Sequence, residues 1–289
     1  EKLGSSLDWD EFGFSTSRAS VLAVDPADPA RIFAGTDRGV AISSDNGRSW
    51  QWRDEGLEDS IRARDLAVLE EEVYAPSIRY ATLFSDDYGN TWQELDPSGE
   101  YFVDMSIVVR PGQPCQMLRA RPMSLSRSTD CGISWSVIEN EASLELHTSS
   151  DDVSVVYGND DWDGIARSDD FGLTWRPVFE GSYNELAVDP SDVNHVYVAS
   201  YEAAEGQGLS LSILESRDGG GSWRSLDTAS ISEHHVRTLI ATPGGPGTLF
   251  AGTESGAWQY LSSEDRWVQV FARDISVLDI AQDPKHQQI

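Results

Sequence analysis

One eight-residue pattern recurs five times along this chain, and it constrains the fold more than any other feature. The copies are Ser43-Ser-Asp-Asn-Gly-Arg-Ser-Trp50, Ser85-Asp-Asp-Tyr-Gly-Asn-Thr-Trp92, Ser128-Thr-Asp-Cys-Gly-Ile-Ser-Trp135, Ser168-Asp-Asp-Phe-Gly-Leu-Thr-Trp175 and Ser216-Arg-Asp-Gly-Gly-Gly-Ser-Trp223. Their tryptophans lie 42, 43, 40 and 48 residues apart. A sixth, eroded copy ends at Trp267, in Ser262-Ser-Glu-Asp-Arg-Trp. A fixed period of 40 to 50 residues marks a repeat architecture in which each unit packs on its neighbours.

The octapeptide reads as a tight turn between two strands. Asp45, Asp87, Asp130, Asp170 and Asp218 can accept backbone N–H groups inside the turn. Gly47, Gly89, Gly132, Gly172 and Gly220 allow positive φ. Trp50, Trp92, Trp135, Trp175 and Trp223 then open the next strand and supply a large apolar ring. The aspartates have the look of a catalytic array, but turn chemistry accounts for all of them.

Two more strands precede each octapeptide. Val21-Leu-Ala-Val-Asp-Pro is followed by Arg31-Ile-Phe-Ala-Gly-Thr and then by Gly39-Val-Ala-Ile-Ser, and the same order returns from Glu185 and from Thr238. Each repeat is therefore strand, turn, strand, turn, strand, octapeptide, strand. That is a four-stranded antiparallel propeller blade. Blades are expected to begin near Val21, Asp65, Asp104, Leu144, Glu185 and Thr238. A seventh is expected from residues 274–289, completed by an N-terminal strand at about residues 5–17, with Trp9 in the octapeptide Trp position. The expectation is an all-β, seven-bladed β-propeller forming one domain over residues 1–289, with six blades as the alternative.

The octapeptide resembles the BNR or Asp-box repeat of sialidases, xyloglucanases, sortilin-type receptors and photosystem II assembly factors. The resemblance covers nearly the whole chain. It is specific for fold and unspecific for function. It implies a ligand at the central channel mouth or on the face made by the second-to-third-strand turns and blade-to-blade loops, opposite the octapeptides. The Arg-Ile-Pro element of sialidases is absent, the nearest stretch being Ala30-Arg-Ile-Phe33, and no Tyr–Glu nucleophile pair can be assigned. Xyloglucanases of this type clasp substrate between two propellers, whereas this chain holds repeats for one.

Charge limits the partners. The chain carries 49 acidic and 21 basic residues, net −28, and its only lysines are Lys2 and Lys285. The acids are spread among aromatic and β-branched residues, which argues against a disordered acidic tail. Acid excess with loss of Lys points to a surface adapted to high salt. An acidic secreted protein is the alternative. Nucleic acid is a poor partner for this field. No apolar run reaches 18 residues, so membrane insertion is not expected. The setting expected is extracellular or cell-surface, with the cytoplasm of a salt-accumulating halophile as the alternative.

Three groups of candidate site residues emerge. Asp65, Asp104, Glu185 and Asp279 precede apolar residues at the starts of first strands. Together they could line a channel as cation ligands or as general acid and base, or they could be solvated structural carboxylates. Asp161, Trp162 and Asp163 lie in a second-to-third-strand turn, where an exposed Trp flanked by acids suits sugar stacking. Tyr201 opens an insertion in blade five on the same face. His147, His195, His234 and His235 have no ligand-like spacing, so no metal is expected, and no cofactor. Cys115 and Cys131 fall near one end of blade three and could pair, although two free thiols are the first expectation. The function expected is a non-catalytic, monomeric binding or assembly scaffold for a protein or glycan. A glycoside hydrolase and a cell-surface sensor or adhesion module are the alternatives.

Overall fold

Short apolar runs separated by Gly, Asp and Pro turns form twenty-four strands among the described residues of the computed structural model. The residues described are 19–53, 62–69, 71–77, 82–95, 103–110, 112, 115–122, 124–139, 145–149, 152–160, 164–204, 208–232, 234–243, 248–271 and 275–282. The strands build six four-stranded sheets, each in chain order and antiparallel where its register is defined. Blade one holds β1 (Ala19–Val24), β2 (Ile32–Thr36), β3 (Gly39–Ser43) and β4 (Gln51–Arg53). Blade two holds β5 (Ala67–Leu69), β6 (Glu72–Ala75), β7 (Leu83–Ser85) and β8 (Gln93–Glu94). Blade three holds β9 (Ser106–Arg110), β10 (Gln116–Arg121), β11 (Ser124–Ser128) and β12 (Ser136–Glu139). Blade four holds β13 (Leu146–Thr148), β14 (Val156–Asp160), β15 (Gly164–Ser168) and β16 (Arg176–Glu180). Blade five holds β17 (Glu185–Asp189), β18 (Asp192–Ala204), β19 (Gly208–Ser216) and β20 (Arg224–Leu226). Blade six holds β21 (Val236–Ala241), β22 (Thr248–Thr253), β23 (Gly256–Leu261) and β24 (Arg266–Phe271).

Six blades are therefore present, as in the alternative, and the expected seventh is not built by the described residues. Residues 275–282 contain no strand, and the proposed N-terminal strand lies outside the described residues. The reason the tail reads as a first strand is visible in its contacts. Val277 N–H donates to the Thr253 carbonyl at 2.8 Å, as Ala63 N–H donates to Thr36 at 3.3 Å and Asp104 N–H to Ser77 at 3.3 Å. Residues 275–282 thus carry contacts that pack on the preceding blade, and among the described residues they form no strand.

The chain divides into two compact units, Glu1–Ile107 with Ala281–Ile289, and Val108–Ile280. In the first, Phe33, Val40 and Ile42 of blade one pack with Ala63, Leu66, Val73 and Trp92 of blade two. In the second, separate clusters join blades three and four, four and five, and five and six. The core is thus a series of blade-to-blade layers, each burying one sheet face on the next. The octapeptide turn contributes to these layers. At Gly89, with φ of 77°, a Cβ would stand 2.8 Å from Ile42 of the preceding blade. At Gly172, with φ of 81°, it would stand 2.8 Å from Leu118. Only glycine fits both the backbone angle and the close approach.

Candidate functional site

Each blade has two chemically different ends. At one end the octapeptide closes the third-to-fourth-strand turn. In blade one, Asp45 Oδ1 accepts the Ser49 N–H at 2.8 Å and Oδ2 accepts the Ser49 hydroxyl at 2.7 Å. Ser43 Oγ donates to Asp45 Oδ1 at 2.9 Å and accepts the Gly47 N–H at 2.8 Å. Asp87, Asp130, Asp170 and Asp218 repeat the arrangement with Thr91, Ser134, Thr174 and Ser222. Hydrogen bonds from the Ser222 hydroxyl and amide hold the Asp218 carboxyl down at about 2, since bonds to the charged form favour ionisation. These carboxylates are occupied by their own turns.

The fourth octapeptide residue has positive φ in all five copies: Asn46, Tyr88, Cys131, Phe171 and Gly219. In four blades its N–H docks on the first-to-second-strand turn, through Ala30, Glu71, Ser154 and Asn194 carbonyls. In blade three Cys131 is joined to Cys115, with Cα atoms 5.2 Å apart. The expectation of two free thiols is therefore corrected: Cys115 falls where the docking turn falls in other blades, within normal disulfide reach of the octapeptide.

At the opposite end lie the tips of the second-to-third-strand hairpins and the starts of the first strands. The four carboxylates singled out from sequence do not share one register there. Asp65 accepts the Leu66 N–H at 2.8 Å, the Ile107 N–H at 3.1 Å and the Ser106 hydroxyl at 2.8 Å. Asp279 accepts the Ile280 N–H at 2.8 Å and the Thr238 hydroxyl at 3.2 Å. Asp104 takes the place of Ala63 and Val277, two residues earlier, where it is fully buried and accepts the Thr82 N–H and hydroxyl at 2.7 and 2.8 Å. Glu185, the first residue of β17, differs from all three. Burial pushes its carboxyl up to about 9, and the negative charges of Glu145 and Asp279 add to the rise. Both effects disfavour the charged form, so the site favours the protonated carboxylic acid over the carboxylate.

Beside it stand aromatic and imidazole rings. The insertion in blade five extends β18 and β19 into a long hairpin, with Ala204 paired to Gly208. Tyr201 on that hairpin stacks on His235 with ring centroids 4.9 Å apart and planes at 20°. Its hydroxyl donates to the His234 carbonyl at 3.3 Å and accepts the Val236 N–H at 2.6 Å. His234 turns the other way, onto Trp258 of β23, at 5.2 Å. Burial raises the Tyr201 phenol, and the charges of Glu254 and Glu185 raise it further, placing both carboxyls within electrostatic reach. An open cavity of about 280 Å³ is lined by Leu146–Thr148, Leu186–Val188 and Leu239–Ala241, the first strands of blades four to six.

The structure thus brings Glu185, Asp279 and Tyr201 into one electrostatic neighbourhood and leaves Asp65 and Asp104 in blade junctions of the other unit. Asp161, Trp162 and Asp163 lie outside the described residues. His234, His235 and Trp258 were missed as ring partners, because a stacking row drawn from two blades leaves no local pattern. Among the described residues no group of three His, Cys, Asp or Glu side chains is placed to hold a metal ion, and no helix is long and apolar enough to cross a membrane.

Comparison with known proteins defines the class. The chain is similar to an ancestral GH74 enzyme with a TM-score of 0.71 and 15% identity, over 88% of this chain and 39% of that one. It is similar to the GH74 xyloglucanase from Xanthomonas campestris, with a TM-score of 0.66 and 18% identity over 88% and 47% of the two chains. It is also similar to YCF48 bound to D1 peptide, with a TM-score of 0.58 and 16% identity over 91% and 80%. The chain spans under half the length of those two GH74 enzymes. At these identities the likeness shows the β-propeller fold alone. No protein-family model and no curated protein sequence matches the chain.

Proposed function

We propose that this β-propeller is a non-catalytic binding scaffold of the Asp-box type, acting as a monomer in an extracellular, high-salt setting. Its ligand, a glycan or a protein segment, sits on the hairpin-tip end of blades five and six. The observation that carries this reading is the Tyr201–His235 stack and the tilted His234–Trp258 ring contact, near a Glu185 carboxyl whose burial and acidic neighbours disfavour its charge. Flat rings and neutral donors suit the apolar faces and hydroxyls of a sugar, or the aromatic and amide groups of a peptide. YCF48 bound to a peptide offers a precedent for ligand binding by this fold. The test is a glycan array and an overlapping-peptide array probed in 2 M KCl with the full chain and with Tyr201→Ala and His235→Ala. Binding by the parent that both variants lose supports the site. Equal binding by parent and variants removes it.

A second reading, glycoside hydrolysis, has one observation behind it. A carboxyl held near 9 beside Glu145 and Asp279 is the kind of separated pair that divides general acid from base. Hydrolysis of any arrayed glycan that is abolished by Glu185→Gln, with binding retained, would move the assignment to this reading.

A further inference from the structure

At the octapeptide end of blade five, away from the proposed ligand site, a buried histidine bridges two carboxylates. His195 Nδ1 lies 3.2 Å from Asp189 Oδ2 and Nε2 lies 2.8 Å from Glu215 Oε1. The histidine is 6% exposed, and Asp189 and Glu215 are equally sheltered. An ionised carboxylate only accepts hydrogen bonds, so both ring nitrogens must carry protons for both contacts to be favourable. A neutral imidazole has one N–H, and its other nitrogen would turn a lone pair toward a carboxylate. The bridge as built is made by the imidazolium.

The other groups facing the bridge come from the octapeptide, from β20 and from β18 itself. Arg217 in the octapeptide binds Glu215 Oε1 through Nε and Nη2 at 3.0 and 2.7 Å. Arg224 on β20 binds Glu215 Oε2 through the same two nitrogens at 3.1 and 2.7 Å. The Tyr197 hydroxyl on β18 points at Glu215 Oε1 from 3.5 Å. Although burial opposes ionisation of Glu215, His195 and the two arginines hold it down at about 2. Burial also disfavours a charged His195, and Arg217 repels it, yet the bonds to Asp189 and Glu215 prevail and raise it above the ordinary imidazole value.

The bridge spans two pieces of chain that have to stay together. Asp189 shapes the β17–β18 turn by accepting the Ser191 N–H and hydroxyl at 2.8 and 2.7 Å. Glu215 immediately precedes the octapeptide, whose Gly219 N–H docks on the Asn194 carbonyl at 2.8 Å, next to His195. We propose that His195 is a pH-sensitive latch: as imidazolium it ties the β17–β18 turn to the octapeptide of blade five, and loss of its proton to solvent releases that end of the blade. Because the folded state holds the proton more tightly than the unfolded chain, the latch is fully closed below pH 6.5 and opens as pH rises through the raised value.

The test has two parts, both on the full chain. Long-range 1H–15N correlation spectra, which report the protonation of each ring nitrogen, are recorded from pH 5 to 9. The expected result is two protonated nitrogens on His195 at pH 6.5, where a free imidazole is half neutral. A singly protonated ring at that pH overturns the latch. Hydrogen exchange of the Gly219 amide, corrected for intrinsic pH dependence, is followed over the same range. Its protection is expected to fall about tenfold for each unit by which His195 is raised, while Val236 stays unchanged. Protection of Gly219 that is flat across the His195 midpoint overturns the proposal. His195→Gln is expected to remove the pH dependence, and if that variant does not fold, the parent spectra and exchange decide alone.

Discussion

The indole N–H of Trp92 donates to the backbone carbonyl of Arg53 at 3.0 Å, joining the octapeptide of blade two to the fourth strand of blade one. Trp223 does the same toward Val178 at 2.9 Å. In Trp50, Trp135 and Trp175 the same atom stays at home, bonding the glycine carbonyl of its own turn. One sequence position therefore serves two purposes, closing a turn in three blades and tying neighbours together in two.

Substituting these tryptophans should separate the two purposes. Trp92 is 6% exposed and sits in the core between blades one and two. Trp92→Phe keeps most of the apolar ring but leaves the Arg53 carbonyl without its donor, a loss of about 1–3 kcal/mol. Trp50→Phe, in a half-buried setting, should cost less than half as much. Urea unfolding of both variants checks the order, and equal costs would contradict the blade-joining role of Trp92.

Asp87→Ala removes the acceptor of the Thr91 N–H and hydroxyl and of the Ser85 hydroxyl. The turn keeps the Gly89 N–H bond to Ser85 and the docking of the Tyr88 N–H on the Glu71 carbonyl. Destabilisation of about 1–3 kcal/mol is expected, with ligand binding unchanged once the protein is folded. Calorimetry alongside the array assay tests this. Lost binding at full stability would assign the aspartate a recognition role.

Much of this architecture was legible because the octapeptide turn is local: the hydrogen bonds of its Asp and Ser side chains run between residues two to four apart. Five turns and the strands flanking them could be read directly. The blade count was overread for a physical reason. Val277 and Asp279 carry the pattern of a first strand because that pattern encodes packing on the preceding blade, through Thr253 and Thr238, and residues 275–282 satisfy it without forming a strand themselves. The Tyr201–His235 and His234–Trp258 pairs were not legible, since their meeting depends on how far the β18–β19 hairpin extends. Asp104 was grouped with Asp65 and Asp279 because each precedes an apolar residue or nearly so. Its register against Ser77 shows a two-residue offset that only backbone pairing reveals.

Glu185 should make the protein less stable as pH rises. Its folded-state value of about 9 exceeds the ordinary 4.5, so between those values the folded chain keeps a proton that the unfolded chain releases. Stability from this group is therefore highest below pH 4.5 and declines up to about pH 9. Glu185→Gln, neutral at every pH, should be more stable than the parent by up to about 5 kcal/mol at pH 8 and nearly equal to it at pH 4. Thermal melts from pH 4 to 9 give the comparison. Parallel curves for the two proteins would show that Glu185 is solvated and ionised, and would withdraw it from the site.

Salt should stabilise this propeller well beyond the range in which ordinary acidic proteins respond. The net charge of −28 sets 49 acidic residues against 21 basic ones, so repulsion among carboxylates outweighs their attraction to cations. The screening length shrinks from ~10 Å at 0.1 M salt to ~3 Å at 1 M, so repulsion between neighbouring carboxylates collapses across that interval. Exclusion of salt from apolar surface can add to the effect at higher concentration, and a matched sucrose series isolates that general contribution. A melting series from 0.1 to 3 M KCl is expected to rise steeply to about 1 M and to exceed the sucrose series throughout. A flat KCl response would remove the high-salt setting from the proposed function and leave an acidic propeller whose charge serves solubility alone.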